Sequence, residues 1–214
     1  MREFILGLDE YFCENYANYD KLCGLKGYKM PKMQATEMRE GTPFSYTLPA
    51  NTMRLSLQEN KEELLIDLKQ KLIDRTFSFS FIPLRFFARI RNKLDGLGFK
   101  KVLKRLLIKK NSTPEEIFST LTISEDIWEK VCSGSFLPTK NLILSVAIGG
   151  NFSLEETTEL LNSCEYDWDF TEAKDVVVSY LVRRKIVNAD MVELAFSEYK
   201  VANLYLRLKN EESA

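Results

Sequence analysis

Ten basic side chains within 26 residues are the feature of this 214-residue chain whose chemistry is easiest to state. Between positions 85 and 110 the only acid is Asp95, so this basic segment has a net charge of +9. Lys and Arg at such density attract phosphates or an acidic protein surface. The segment is therefore a candidate site for nucleic acid or an acidic partner, through Arg85, Arg89, Arg91, Lys93, Lys100, Lys101, Lys104, Arg105, Lys109 and Lys110.

The acidic residues concentrate elsewhere in the chain. From position 151 onward there are thirteen acids and seven bases, a net charge of −6, whereas the whole chain has a net charge of −1. This asymmetry leaves two interpretations of the basic segment. It binds an external anion, or it packs beside the acidic C-terminal part of the same chain.

Catalytic chemistry has few candidate residues. The chain contains no His, which removes the commonest general base and excludes Ser-His-Asp, Cys-His and zincin sites. The four cysteines form no C-x-x-C pair, so we interpret them as buried reduced thiols rather than a zinc site: Cys13, Cys23, Cys132 and Cys164. We therefore predict a non-enzymatic protein without metal or cofactor residues, and keep an enzyme within residues 1–84 as a minor alternative.

Helix caps organise the C-terminal half. Thr113-Pro114-Glu115-Glu116 and Ser153-Leu154-Glu155-Glu156 have the residues of capping boxes, in which a hydroxyl and a carboxylate satisfy backbone amides reciprocally. Single N-cap candidates are Ser124, Thr139, Thr171 and Asn188. Gly134 and the pair Gly149-Gly150 are expected to end helices in a left-handed turn. The spacing predicts helices over about 99–110, 114–121, 124–133, 139–149, 153–163, 171–185 and 189–198, with no strand inside 114–163.

The second and third of these helices are spaced like a helix-turn-helix. Ile117, Ile123, Trp128, Gly134 and Pro138 recur at the offsets of λ-repressor-like domains, which the chain resembles over about residues 99–166. The resemblance implies a five-helix domain in which the 124–133 helix projects as the recognition helix. We expect its core to contain Trp128, Val131, Leu142, Val146, Leu154 and Leu161.

A wider resemblance covers Phe99–Leu204. This stretch is similar to an uncharacterised helical domain that bacteria attach to ADP-ribose-binding macrodomains and to other N-terminal regions. The similarity lies in the segments 160–166, 175–180 and 188–199, with Glu165 where the family usually has Gly. It implies an accessory module of a bacterial protein and no activity, and nothing in residues 1–98 resembles a macrodomain.

The candidate recognition helix is acidic, which argues against reading DNA. Its exposed N-terminal turns would present Ser124, Glu125, Asp126, Glu129 and Lys130. Carboxylates placed in a DNA groove are repelled by the negative phosphates, and the base group that they contact well is the amino group of cytosine. We therefore predict a regulatory or adaptor protein that binds a protein partner. The alternative is a DNA-binding transcriptional regulator that uses the basic segment and the 124–133 helix.

The first 98 residues predict a small α+β or mostly helical region, joined at Gly96-Leu97-Gly98 to a helical domain over 99–214. Apolar residues from Phe4 to Tyr19 have helical spacing, whereas residues 28–40 show no clear period. Alternation predicts a hairpin between strands at 44–48 and 53–57, a helix over about 61–74, a third strand at 77–81 and a helix that begins at Pro83. The whole chain is thus expected to be mainly α.

Two further expectations concern assembly and location. Six apolar residues within seven positions of the 171–185 helix exceed the single stripe of a surface helix, so a homodimer or another segment of the chain must cover them. The longest apolar run, Leu142 to Gly150, is too short to span a bilayer, and Asp9 and Glu10 interrupt the N-terminal segment that a signal peptide would keep apolar. We predict a cytoplasmic protein with no membrane partner.

Overall fold

A computed structural model describes residues 1–17, 34–39, 42–47, 66, 68–72, 82–83, 98–201 and 204–208. The fold is mainly helical, as predicted. The chain divides into two compact units, Met1–Ile73 and Asp74–Ala214, so the division comes earlier in the chain than the boundary expected near residue 98.

The described part of the first unit contains one long helix, α1 (Arg2–Asn15). Its buried residues Phe4, Leu8 and Phe12 recur at helical spacing, as the sequence predicted. Residues 68–71 are also helical, with Leu68 and Leu72 buried. The Lys69 ammonium lies 2.9 Å from the Asp9 carboxylate and joins this segment to α1.

A β-hairpin in the first unit corrects one sequence prediction. Strands β1 (Gln34–Arg39) and β2 (Thr42–Thr47) pair antiparallel, with Arg39 opposite Thr42. The predicted strand at 44–48 is thus present, but residues 28–40 were expected to lack regular structure and instead supply its partner. The missed signal was a short connection that ends in Gly41, typical of a tight hairpin. The predicted partner at 53–57 and the strand at 77–81 lie outside the described residues.

The second unit has the seven helices predicted from sequence, each within a few residues of its expected ends. They are α2 (Phe99–Lys110), α3 (Pro114–Ser119), α4 (Glu125–Cys132), α5 (Lys140–Gly149), α6 (Leu154–Asn162), α7 (Ala173–Arg184) and α8 (Ala189–Glu198). Both capping boxes form, and the single caps of α4, α5 and α8 accept amide hydrogen bonds through Ser124, Thr139 and Asn188.

Thr171 is not the cap that the sequence predicted. Helix α7 begins two residues later, with Glu172 as an N-cap that makes no side-chain hydrogen bond. The Thr171 amide and hydroxyl instead donate to Oδ1 of Asp169, at 2.9 and 2.6 Å. The hydroxyl is therefore engaged by the preceding loop, because a nearby carboxylate competes with the helix for it.

Helix α5 is the centre of the second unit. Every residue from Asn141 to Ile148 is buried, and α5 packs against α6 and α7. Of the expected core residues, Trp128, Val131, Leu142, Val146 and Leu161 are buried. Leu154 is only half-buried, because it occupies the first helical position of α6 and lines a shallow surface depression.

The loop between α3 and α4 is held by the C-terminal segment, an arrangement that the sequence did not reveal. The amide of Thr122 donates to the carbonyl of Tyr205 at 3.1 Å, and the amide of Arg207 donates to the carbonyl of Thr120 at 2.7 Å. Residues 204–208 thus run beside the turn that sets the geometry of α3 relative to α4.

A pair of two-residue strands corrects two further expectations. Strand β3 (Ile82–Pro83) pairs antiparallel with β4 (Phe136–Leu137), which lies in the connection between α4 and α5. A strand therefore occurs inside 114–163, where none was predicted. Pro83, the expected first residue of a helix, lies in β3, and the remainder of that predicted helix lies outside the described residues.

Gly149 and Gly150, at the C-terminal end of α5, serve close packing rather than a left-handed turn. Gly134 does have a positive φ of 75°, as expected, but Gly150 has φ −90° and Asn151 takes the left-handed conformation at φ 48°. A Cβ at Gly149 would overlap the Thr120 hydroxyl, and one at Gly150 would lie 2.5 Å from Cδ1 of Ile117. The absence of these side chains lets the end of α5 approach α3.

Of the two expected covers for the apolar residues of α7, the structure shows another segment of the same chain. Helix α7 packs against α5, α6 and α8. The six apolar residues of α7, which are too many for the single apolar stripe of a surface helix, are all buried: Val176, Val177, Val178, Tyr180, Leu181 and Val182.

Truncation of Trp128 tests the packing of α4. The side chain is 5% exposed and its ring stacks on that of Phe118 at a centroid distance of 6.3 Å. We expect Trp128→Ala to lower the free energy of unfolding by roughly 3–5 kcal/mol in denaturant titrations. Ile108→Ala is the control, because Ile108 is 66% exposed and its loss should change stability by less than about 0.5 kcal/mol. Equal effects of the two substitutions would contradict the described core.

Gly149→Ala tests the contact between α5 and α3. Although Ala favours helix, the overlap with Thr120 should dominate and lower the free energy of unfolding by roughly 1–3 kcal/mol. Removal of the opposing hydroxyl and methyl in Gly149→Ala/Thr120→Ala should recover part of that loss, measured as a favourable coupling in a double-mutant cycle. Strictly additive effects would show that the two positions are not in contact.

Candidate functional site

The predicted basic site maps largely onto α2. Arg85, Arg89, Arg91 and Lys93 lie outside the described residues. Lys100, Lys101, Lys104, Arg105 and Lys109 are exposed on α2, and Lys110 at its C-terminal end is half-buried.

The C-terminal half of α2 pairs with carboxylates of α6. Arg105 forms an ion pair with Glu159, and the ammonium groups of Lys109 and Lys110 lie 2.9 and 3.4 Å from the Glu156 carboxylate. Lys110 also donates to the carbonyl of Asn151. The bases of this half of the helix therefore contact carboxylates of the same chain.

The carboxylate of Glu156 makes two kinds of interaction at the contact between α2 and α6. Its carboxylate accepts the Ser153 amide at 2.9 Å, which completes the capping box of α6, and it also accepts a hydrogen bond from Lys109. Burial raises the pKa of the carboxyl, but the bonds from Ser153 and Lys109 and the charge of Lys110 outweigh burial, so the pKa is lowered. The ionised form is thus the one that the fold stabilises.

The N-terminal half of α2 has a different environment. Lys100, Lys101 and Lys104 line a cavity of about 440 Å³, whose opposite wall comes from the connection between α4 and α5. The positive charge of α2 therefore divides into a half that contacts α6 and a half that faces this cavity.

Helix α4, the candidate recognition helix, presents an acidic face. Ser124 caps its first turn, and Trp128 and Val131 turn inward. Glu125, Asp126 and Glu129 are exposed, and we call these three residues the acidic face. Lys130, the one base within α4, forms an ion pair with Asp126 one turn earlier.

A buried ion pair was missed by sequence reasoning. Lys140 in the first turn of α5 pairs with Asp175 in the first turn of α7, and the Asp175 carboxylate also accepts the amide of Asp169 at 2.7 Å. Burial raises the pKa of Asp175, although the hydrogen bond from Lys140 opposes this. Because Lys140, Asp175 and the Asp169 amide provide one another with charge and hydrogen-bond partners, we assign this ion pair a structural role. It joins the start of α5 to the start of α7 and is not assigned a catalytic role. The residues are far apart in sequence, and no local pattern connects them.

The three described cysteines are buried or half-buried. Cys13 and Cys164 are buried and Cys132 is half-buried. Burial raises the pKa of both Cys132 and Cys164 to about 11, which disfavours the thiolate. Cys23 lies outside the described residues. Within the described part of the chain there is no cluster of three His, Cys, Asp or Glu that would hold a metal ion, and no helix is both long and apolar enough to cross a membrane.

Comparison of the chain with protein-family models, with curated proteins and with solved structures finds no match in any of the three. The function proposed below therefore rests on the residues and geometry of this chain.

Neutralisation of Glu156 tests the contact between α2 and α6. Because the pKa of this carboxyl is lowered on folding, its stabilising effect is present above the pKa of the unfolded chain and is lost as pH falls. Glu156→Gln should therefore lower the free energy of unfolding more at about pH 7 than at about pH 3, as measured by urea titration at each pH.

The matched test removes the bases instead. In a Lys109→Gln/Lys110→Gln background, Glu156→Gln should cost less and depend less on pH, because its ionic partners are gone. Gln retains the capping-box geometry, so the cost of Glu156→Gln reports the loss of charge. An equal cost in both backgrounds would show that Lys109 and Lys110 do not contribute to it.

Proposed function

We propose that this chain is a non-enzymatic regulatory or adaptor protein of bacteria, which binds a protein partner through the helical second unit. The observation that carries the proposal is the acidic face of α4. A helix that begins with two exposed carboxylates and adds a third one turn later favours a partner surface rich in Lys and Arg.

The charge balance of α4 supports a protein over nucleic acid. Lys130 pairs with Asp126, and the exposed side of α4 has three carboxylates against this one base. Binding to DNA gains most of its affinity from phosphates neutralised by Lys and Arg, and carboxylates at the same surface oppose it. The C-terminal half of α2, which would be the second source of positive charge, contacts Glu156 and Glu159.

The helix geometry supports a repressor-like arrangement used for docking. Helices α3 and α4 are joined by a short turn, and α4 packs through Trp128 and Val131 while its other side stays exposed. The C-terminal segment braces that turn through the Thr122 and Arg207 amides. A projecting helix on a braced turn is well suited to present a fixed surface to a partner.

Charge reversal on the acidic face provides the test. The tagged full chain is used to capture proteins from its native host with nuclease present, beside Glu125→Lys/Glu129→Lys. We expect wild type to retain a defined partner that the variant loses. The partner, once identified, should bind at least about tenfold more weakly to the variant in calorimetry, because two complementary charges become repulsive.

A matched control separates this effect from net charge. Asp190→Lys/Glu193→Lys makes the same charge change at exposed positions in the first turns of α8, so it also matches the cost of reversing charge near a helix start. It should retain the partner. Equal loss of the partner in both variants would overturn the proposal. Tight, salt-tolerant and sequence-selective binding of wild type to a DNA duplex would overturn it in favour of the DNA-binding alternative.

A further inference from the structure

A cavity in the second unit lies between three helix ends. Its wall is formed by the first turns of α2, the segment from Val131 to Pro138 and the end of α6 at Ser163 and Cys164. Its volume of about 440 Å³ falls within the range of sites that hold small organic molecules. No step of the function proposed above uses this cavity.

The charge that lines the cavity has one sign. Among the described lining residues, the charged ones are Lys100, Lys101 and Lys104. Lys100 and Lys104 are exposed and lie one helical turn apart, so their ammonium groups can reach the same anion. The carboxylates of α6 contact Arg105, Lys109 and Lys110 on the later turns of α2. The charged side chains of the described lining are therefore all basic.

Polar and apolar groups complete the lining. The hydroxyls of Ser133 and Ser135 lie 2.9 Å apart, and that of Ser133 donates to the carbonyl of Lys130, so this wall of the cavity is polar. Helix α2 starts after Gly98, which provides no capping side chain, so the amides of its first turn add partial positive charge. Phe99, Phe136 and Leu137 form an apolar wall that suits an organic ring.

We propose that this cavity binds a small organic phosphate of mononucleotide size. The phosphate would contact the ammonium groups of Lys100 and Lys104, and the organic part would lie against the apolar wall. A concave site with its bases at one end favours a compact anion over a nucleic-acid duplex, which binds through an extended row of bases.

Calorimetric titration of the full chain with AMP and with pyrophosphate tests this site. We expect saturable binding of AMP with a dissociation constant below about 1 mM, and weaker binding of pyrophosphate, which lacks the organic part. Lys100→Gln/Lys104→Gln should weaken AMP binding at least about tenfold, since charge-assisted bonds to the phosphate are lost.

The control removes equal charge from the same helix. Arg105→Gln/Lys109→Gln takes two bases from the half of α2 that contacts α6, and it should leave AMP affinity within about twofold of wild type. Far-ultraviolet circular dichroism verifies that both variants fold. The proposal is overturned if AMP fails to saturate by about 10 mM, if both variants lose affinity equally, or if a random-sequence duplex binds and AMP does not compete with it.

Discussion

Complete burial of α5 is the constraint on which the second unit depends. A helix that is enclosed on all sides needs neighbours on every face, and α6, α7, the α3 end and the C-terminal segment supply them. Its polar groups must also be satisfied inside the protein. Ser145 shows how: its hydroxyl donates to the carbonyl of Asn141 at 2.7 Å and accepts the amide of Tyr205 at 2.9 Å. One buried side chain thus ties the C-terminal segment to the central helix.

The same enclosure determines which charges remain available for binding. Because α6 lies along the C-terminal half of α2, its carboxylates meet the bases there and that surface approaches neutrality. The first turns of α2 extend past this contact to the cavity, and α4 turns its carboxylates outward. The unit therefore has an acidic surface on α4 and a basic one at the start of α2.

Sequence reasoning succeeded where the deciding interaction is local. A capping box joins residues three apart, and an apolar stripe repeats every three or four, so the amino-acid order alone indicates where α3, α4, α5, α6 and α8 begin. The prediction that Thr171 caps a helix failed because the carboxylate of Asp169, two residues earlier, accepts the hydrogen bond of the Thr171 hydroxyl. The strand at 34–39 was missed because apolar residues do not alternate regularly along it. Its strand conformation depends on pairing with β2.

The sequence by itself determined the helices, the cluster of bases on α2 and the acidic character of α4, because composition and short-range spacing specify these. Only the tertiary structure decided which bases are compensated, since Lys109 meets Glu156 across 47 positions of the chain. It also decided that Gly149 and Gly150 serve contact with α3, and that α7 is covered within one chain. Such contacts join residues distant in sequence, and they follow from how the helices pack around α5 rather than from any local pattern.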